Sequence, residues 1–260
     1  MRDILTEIIA NKRIEVEQQK SQIALNELIA ASRDMTPVRS MSNSLASSQS
    51  GIIAEFKRRS PSKGWIKESA DASVIPASYA AAGASALSIL TDSNYFGGSL
   101  LDIEVARPKV DIPIIRKEFI VDEYQLYQAR LVGADAVLLI AAALSKDECD
   151  ELIDKAHDIG LEVLLELHSQ SELEYVGHGV EMVGVNNRNL GSFHTNIANS
   201  FTLAELLPEG VVKVSESGIS DPATVNELRK AGYRGFLIGE NFMRSEQPGA
   251  ALAQFIAEVK

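Results

Sequence analysis

A (β/α)8 barrel with an N-terminal helical extension is the fold this sequence predicts, and three observations carry that expectation. Beyond residue 50 the chain repeats one order: a short aliphatic run, a polar loop, an amphipathic segment and a Gly-containing turn. Eight such runs occur, and they are nearly continuous in apolar residues, as strands covered on both faces of a parallel sheet must be. None is followed by the Gly-x-Gly-x-x-Gly of a doubly wound dinucleotide fold, and units spaced roughly 20 to 35 residues apart suit a closed barrel.

Residues 1–49 precede this pattern and residues 50–260 carry it, so the chain is read as a helical extension followed by a barrel domain. "ILTEIIANKRIEVEQQKSQIALNELIAAS" is amphipathic, whereas "MTPVRSMSNSLASSQSG" reads as a Ser-rich linker with one short helical turn. An extension of this kind either plugs the bottom of a barrel or covers its mouth, and the pattern alone leaves both open. The strands expected next are "IIAEF", "ALSIL", "PIIRK", "AVLLIA", "EVLLEL", "MVGVNN", "VVKVSES" and "GFLIG". Between them, Ser145 with Glu148 and Ser169 with Glu172 have capping-box spacing. Asp221-Pro222 supplies an N-cap followed by proline at the first helical position. Gly83, Gly133, Gly160 and Gly232 stand at helix exits, where a left-handed residue is needed.

Composition narrows the function. With 45% hydrophobic and 23% charged residues, 260 residues can bury a full core. A formal net charge of −11 repels polyanions, so neither nucleic acid nor an anionic membrane is expected as partner. Cys149 is the only cysteine, which excludes an internal disulfide and fits a reducing, cytoplasmic setting. It falls in a helical pattern and is read as packing or surface. The first 20 residues lack the apolar centre of a signal peptide, and no apolar run approaches the roughly 18 residues of a membrane span.

Charges at strand ends carry the chemistry. Side chains alternate along a strand, so Glu55 and Lys57 share one face while Ala54 and Phe56 share the other. Lys117 ends the third run, Glu166 the fifth, Asn186 and Arg188 the sixth, and Glu216 the seventh. An isolated charge in a dry core costs several kcal/mol, so this recurrence demands a wet cavity or mutual pairing. All C-terminal strand ends of a parallel barrel open on one mouth, and these groups are expected to meet there. Arg58, Arg59 and Arg116, on neighbouring or loop positions, are expected to form surface ion pairs. Ser217-Gly218 and Gly239-Glu240 stand at loop-to-helix junctions after the seventh and eighth runs, where bare amides can hold a phosphate. Ser60 can reach the same anion from the first loop. His157, His168, His178 and His194 show no metal-ligand spacing, and at least three are expected to be ordinary surface or loop residues. No metal and no cofactor are expected.

Six segments, "IIAEFKRRSPSKG", "PIIRKEF", "LLELHSQSEL", "VGVNNRNL", "VSESGI" and "FLIGENFM", resemble in order and spacing the strand-end motifs of the indole-3-glycerol-phosphate synthase family. The resemblance implies a TIM barrel with a helical extension near the mouth. The implied substrate is 1-(2-carboxyphenylamino)-1-deoxyribulose 5-phosphate, closed to an indole with loss of carbon dioxide and water. It also implies Lys117 as the general acid at the carbonyl, with Glu55, Lys57 and Glu166 for later proton transfers and Lys57 near the substrate carboxylate. Asn186, Arg188 and Glu216 would orient the anthranilate and sugar, and Ser60, Ser217, Gly218 and Gly239 would hold phosphate. Glu240 departs from the pattern, since many relatives carry serine there, so only the backbone of Gly239 is assigned to the anion.

Phosphoribosylanthranilate isomerase, or another phosphate-binding barrel of amino-acid biosynthesis, is the alternative within enzymes. It calls for a cysteine early in the barrel, where this chain has Glu55 and Lys57. A catalytically silent scaffold would not need so many mouth charges. The loop "RRSPSKGWIK" is expected to be a mobile cover over the substrate. The chain reaches Lys260 directly after the last expected helix, so a stand-alone synthase is expected, as monomer or weak homo-oligomer.

Overall fold

The computed structural model describes residues 4–33, 35–177, 179–189, 191 and 193–260. His178, one of the histidines weighed above, lies outside them. Eight parallel strands form the barrel: β1 Ile52–Phe56, β2 Ala86–Leu90, β3 Ile114–Lys117, β4 Ala136–Ile140, β5 Glu162–Leu167, β6 Met182–Asn186, β7 Val212–Glu216 and β8 Gly235–Ile238. Each pairs with the next in sequence, and β1 pairs with β8 through Ile52↔Phe236 to Ala54↔Ile238, which closes the sheet. Every expected run becomes a strand.

Strand parity divides the residues into two layers. Ile52, Ala54, Phe56, Leu87, Val137, Leu165 and Phe236 face the surrounding helices. Ile53, Ala86, Ile115, Ala136, Leu164, Met182, Val214 and Leu237 fill the barrel's interior. The strand-end charges continue the interior rows: Ile53 leads to Glu55 and Lys57, Ile115 to Lys117, Leu164 to Glu166, Met182 to Gly184 and Asn186, and Val214 to Glu216. Period-two alternation thereby carries each polar group from a dry layer to the mouth.

The α-helices of more than one turn are α1 Ile4–Gln22, α2 Leu25–Ala31, α3 Met41–Ser47, α4 Ile75–Ala81, α5 Leu100–Ala106, α6 Glu123–Leu131, α7 Lys146–Asp158, α8 Ala198–Ala204, α9 Pro222–Lys230 and α10 Pro248–Glu258. The Ser145/Glu148 capping box and the Asp221 cap are formed. Gly83, Gly133, Gly160 and Gly232 all have positive φ. Ser169 and Glu172 do not form a capping box. Their segment is a 3-10 turn, Gln170–Tyr175, because the Glu172 carboxylate accepts instead from the His168 N–H at 2.6 Å.

The extension answers the question of plug or cover by doing both. Ile4, Leu5 and Ile8 of α1 line the mouth. Buried Lys12 fixes that helix there through ion pairs with Glu15 (2.9 Å), Asp92 (3.0 Å) and Glu118 (3.1 Å). The Ser-rich stretch is more than a linker: α3 plugs the bottom, with Met41 and Leu45 fully buried against the interior layer. Glu162 at the start of β5 accepts from Ser40 Oγ, Met41 N, Ser42 N and Ser42 Oγ, satisfying the first turn of that helix.

All three arginines depart from the expectation. Arg116 is 3% exposed, because the outward face of β3 looks into the helix layer and not into water. It donates to Thr91 Oγ1 and the Gln125 carbonyl and lies 3.6 Å from Glu118. Arg58 forms a partly buried bidentate pair with Asp102 and also binds the carbonyls of Ala70 and Gly97. Arg59 is half-buried over the Trp65 ring and donates to the Asn94 carbonyl, with no ion-pair partner among the described residues.

Candidate active site

Glu55, Lys57, Lys117, Glu166, Asn186, Arg188 and Glu216 all line one cavity of about 340 Å³ at the C-terminal mouth, and so do Ser60, Ser217, Gly218 and Gly239. The expected convergence is therefore complete in space. Lys117 is its centre: Nζ stands 2.9 Å from Glu166 Oε2 and 3.4 Å from Glu216 Oε2. Glu166 is held from its other oxygen by Asn186 Nδ2 at 3.1 Å, and His168 Nε2 stands 3.1 Å from that same oxygen. Glu55 and Lys57 pair at 2.5 Å.

These contacts fix the charges. Burial pulls the Lys117 pKa down, but Glu166, Glu216 and Glu55 around it overcome that and leave it raised, so the ammonium persists at neutral pH. Between the two carboxylates the charge is divided unequally. Burial raises Glu166, yet Lys117 and His168 bring it well below the usual carboxylate range. Burial and the neighbouring Glu166 and Glu55 push Glu216 up to about 8 against the pull of Lys117. One carboxylate beside the ammonium is thus ionised at neutral pH and the other is an acid. Two glycines make room for this cluster. A Cβ on Gly184 would meet Glu216 Oε1 at 2.2 Å, and one on Gly239 would meet Glu55 Oε1 at 2.4 Å.

The anion side is built from loops. Ser217 and Gly218 have φ of 67° and 79°; a left-handed serine is a strained choice that is retained where geometry is functional. The next helix begins only at Pro222, so this pair forms a loop turn and not the helix junction expected. Gly239 does stand at a junction, capping the one-turn helix Glu240–Met243 without a side-chain bond. Ser60 Oγ is buried and has no hydrogen-bond partner among the described residues. Glu240 lines the cavity as well, paired with Arg244 at 2.6 Å and 3.8 Å from Arg188.

Several contributors escaped sequence reasoning. Phe96 and Phe119, with ring centroids 6.0 Å apart, join Leu138 and Ile140 in an apolar wall. Phe119 stands two residues after Lys117, a spacing that could have signalled it. Arg244, at i+4 from Glu240, and Ser62, which accepts from Arg188 Nη1 at 3.3 Å, also line the cavity. The first loop folds back as a short hairpin pairing Arg59 with Trp65 and Ser60 with Gly64. Cys149 is buried and its thiol is raised to about 11 by burial, which makes it unreactive.

A (β/α)8 barrel with paired ammonium and carboxylate groups in an apolar-walled mouth defines an enzyme of acid–base chemistry. The chain belongs to the indole-3-glycerol phosphate synthase family: the family model of that description matches residues 5–255. It is 62% identical over 260 residues to the indole-3-glycerol phosphate synthase of Bacteroides thetaiotaomicron, covering 100% of both chains. With that of Burkholderia vietnamiensis it shares 44% identity over 258 residues, 98% of this chain and 99% of the other. Among solved structures, 3-hexulose-6-phosphate synthase from Salmonella typhimurium superposes with a TM-score of 0.61 at 13% identity, over 81% of this chain and 100% of that one, a likeness of fold alone.

Proposed function

We propose that this enzyme closes 1-(2-carboxyphenylamino)-1-deoxyribulose 5-phosphate to indole-3-glycerol phosphate, releasing carbon dioxide and water, a carboxy-lyase step of tryptophan biosynthesis. Family membership supports the reaction, and the observation that carries the residue roles is Lys117 between Glu166 and Glu216. Attack of the aromatic carbon on the ketone develops negative charge on oxygen. A buried ammonium that stays protonated neutralises it by donating a proton. Loss of carbon dioxide then returns the bonding electrons to the ring. Removal of a methylene proton by a carboxylate, Glu166 or Glu55, and protonation of the departing hydroxyl by Lys57, Lys117 or Glu216 complete the indole.

Asn186, Arg188 and Glu216 orient the anthranilate and sugar, while Phe96 and Phe119 supply the face on which the ring lies. Ser60, Ser217, Gly218 and the Gly239 backbone take the phosphate. The orphaned Ser60 hydroxyl and the left-handed Ser217 support that assignment. Residues 1–49 act as an extension that plugs the bottom of a catalytic barrel spanning residues 50–260 and lines its mouth. No helix among the described residues is long and apolar enough to cross a membrane. A cytoplasmic monomer or weak homo-oligomer is the setting we infer.

The test is indole absorbance after the substrate is mixed with purified protein and no added metal. Wild type is expected to turn over, and Lys117→Ala to lower kcat by at least about 10²-fold, as for loss of a general acid. A folded wild-type protein that makes no indole product would reject the reaction, and an undiminished Lys117→Ala the role.

A further inference from the structure

Ring closure as proposed above consumes protons, and the account can be drawn from the atoms. The ketone oxygen leaves as water and takes two protons, whereas the methylene carbon gives up one. The carboxylate leaves as neutral carbon dioxide, its electron pair passing into the ring. Each turnover therefore draws one proton from solvent, and the group that donated it has to be recharged before the next.

His168 occupies a path for that proton. It follows the end of β5 and lies behind Glu166, outside the main cavity, on the wall of a second cavity of about 490 Å³. That cavity is rimmed by exposed residues, among them Asn189, Gly191 and Asn196. Nε2 is 3.1 Å from Glu166 Oε1, and Nδ1 is 3.9 Å from Glu172 Oε2, on the partly exposed 3-10 turn. Both ring nitrogens are buried and neither makes a well-formed hydrogen bond, so the ring bridges two carboxylates without being locked to either. On its far side Glu166 touches Lys117 at 2.9 Å. Glu172, His168, Glu166 and Lys117 thus stand in line from the partly exposed turn to the reacting centre, at 3.9, 3.1 and 2.9 Å.

We propose that His168 is the group that returns the consumed proton to the active site, taking it from Glu172 and delivering it through Glu166 to Lys117. The imidazole gains a proton at Nδ1 and releases the one at Nε2 to Glu166 Oε1. Glu166, now protonated on Oε1, turns its carboxyl group to bring that proton to the amine that Lys117 has become after donating, and a half-turn of the imidazole resets the tautomer. Burial lowers the His168 pKa, but Glu166, Glu172 and Glu216 outweigh it and leave it raised, so the imidazolium is available near neutral pH. Lys117 beyond Glu166, and Arg188 and His194 across the side cavity, are the cationic and titratable groups on the other faces.

His168 acts through Glu166 and is in that sense a positioning residue, so its test needs a readout that packing would not move. Steady-state indole formation is measured for wild type and His168→Gln across pH and imidazole concentration. The expected result is a kcat lowered by about 10²-fold with KM changed less than about threefold. Added imidazole restores the rate, and the wild-type fall in kcat as pH rises past the His168 pKa is absent. A variant kcat within about twofold of wild type overturns the proposal. So does a lowered kcat that ignores imidazole and keeps the wild-type pH profile, which would leave His168 holding Glu166 and nothing more. If His168→Gln does not fold, Glu172→Gln, which keeps an acceptor for the His168 N–H, is expected to lower kcat and make it depend on buffer concentration. An unchanged kcat there overturns the relay. Wild type that forms no indole product sinks the ring-closure reading instead.

Discussion

Glu166 and Glu216 flank one ammonium and carry opposite protonation, which makes stability as well as catalysis depend on pH. A carboxyl with a raised folded pKa binds its proton more tightly in the folded state. Its contribution is full below the ordinary carboxylate pKa and is lost as pH climbs toward 8. Glu216→Gln, which keeps the shape and removes the titration, should therefore raise Tm relative to wild type more at pH 8 than at pH 5. Thermal melts at the two values check this, and a larger gain at pH 5 would reverse the sign argued here. The roles of individual glycines were less legible in the sequence than those of the charges. Gly184 reads as one more small residue in a strand, and only the approach of Glu216 Oε1 to its missing Cβ shows what it makes room for. His168 was hidden for a similar reason: its spacing fits no metal site, and its partner Glu166 precedes it by two positions on a strand that ends between them.

Among elements, α3 performs a structural task that leaves the mouth untouched. Met41 and Leu45 close the interior layer at the bottom of the barrel, the end on which stability rather than catalysis depends. Leu45→Ala should cost about 2–5 kcal/mol by opening a cavity there, while the folded variant keeps its kcat. Urea melts paired with the indole assay check both halves, and a large loss of kcat at unchanged stability would place α3 in the catalytic machinery. A short helical turn was legible here but its role as a plug was not, because its two large apolar residues, four apart, are embedded in "SMSNSLASS", whose serines signal a linker. The strands were legible because their apolar runs need no tertiary information. Arg116 was misread because outward in a barrel means toward a second layer, a fact of the closed fold and not of the strand.

For the whole molecule, a net charge of −11 has to coexist with a phosphorylated, carboxylated substrate. Lys57, Lys117, Arg188 and Arg244 gather in the mouth and oppose the general field locally. The extension completes this arrangement, since Lys12 ties α1 to Asp92 and to Glu118, the neighbour of Lys117. The central claim is that charged groups from separate strands and a loop-built anion cradle form one site around one ligand. A crystal structure with indole-3-glycerol phosphate bound tests it most directly. The account predicts the phosphate against Ser60, Ser217, Gly218 and Gly239, with the indole ring between Phe96, Phe119 and the Lys117 cluster. A ligand whose phosphate lies elsewhere, or whose ring is remote from Lys117 and Glu166, would contradict it.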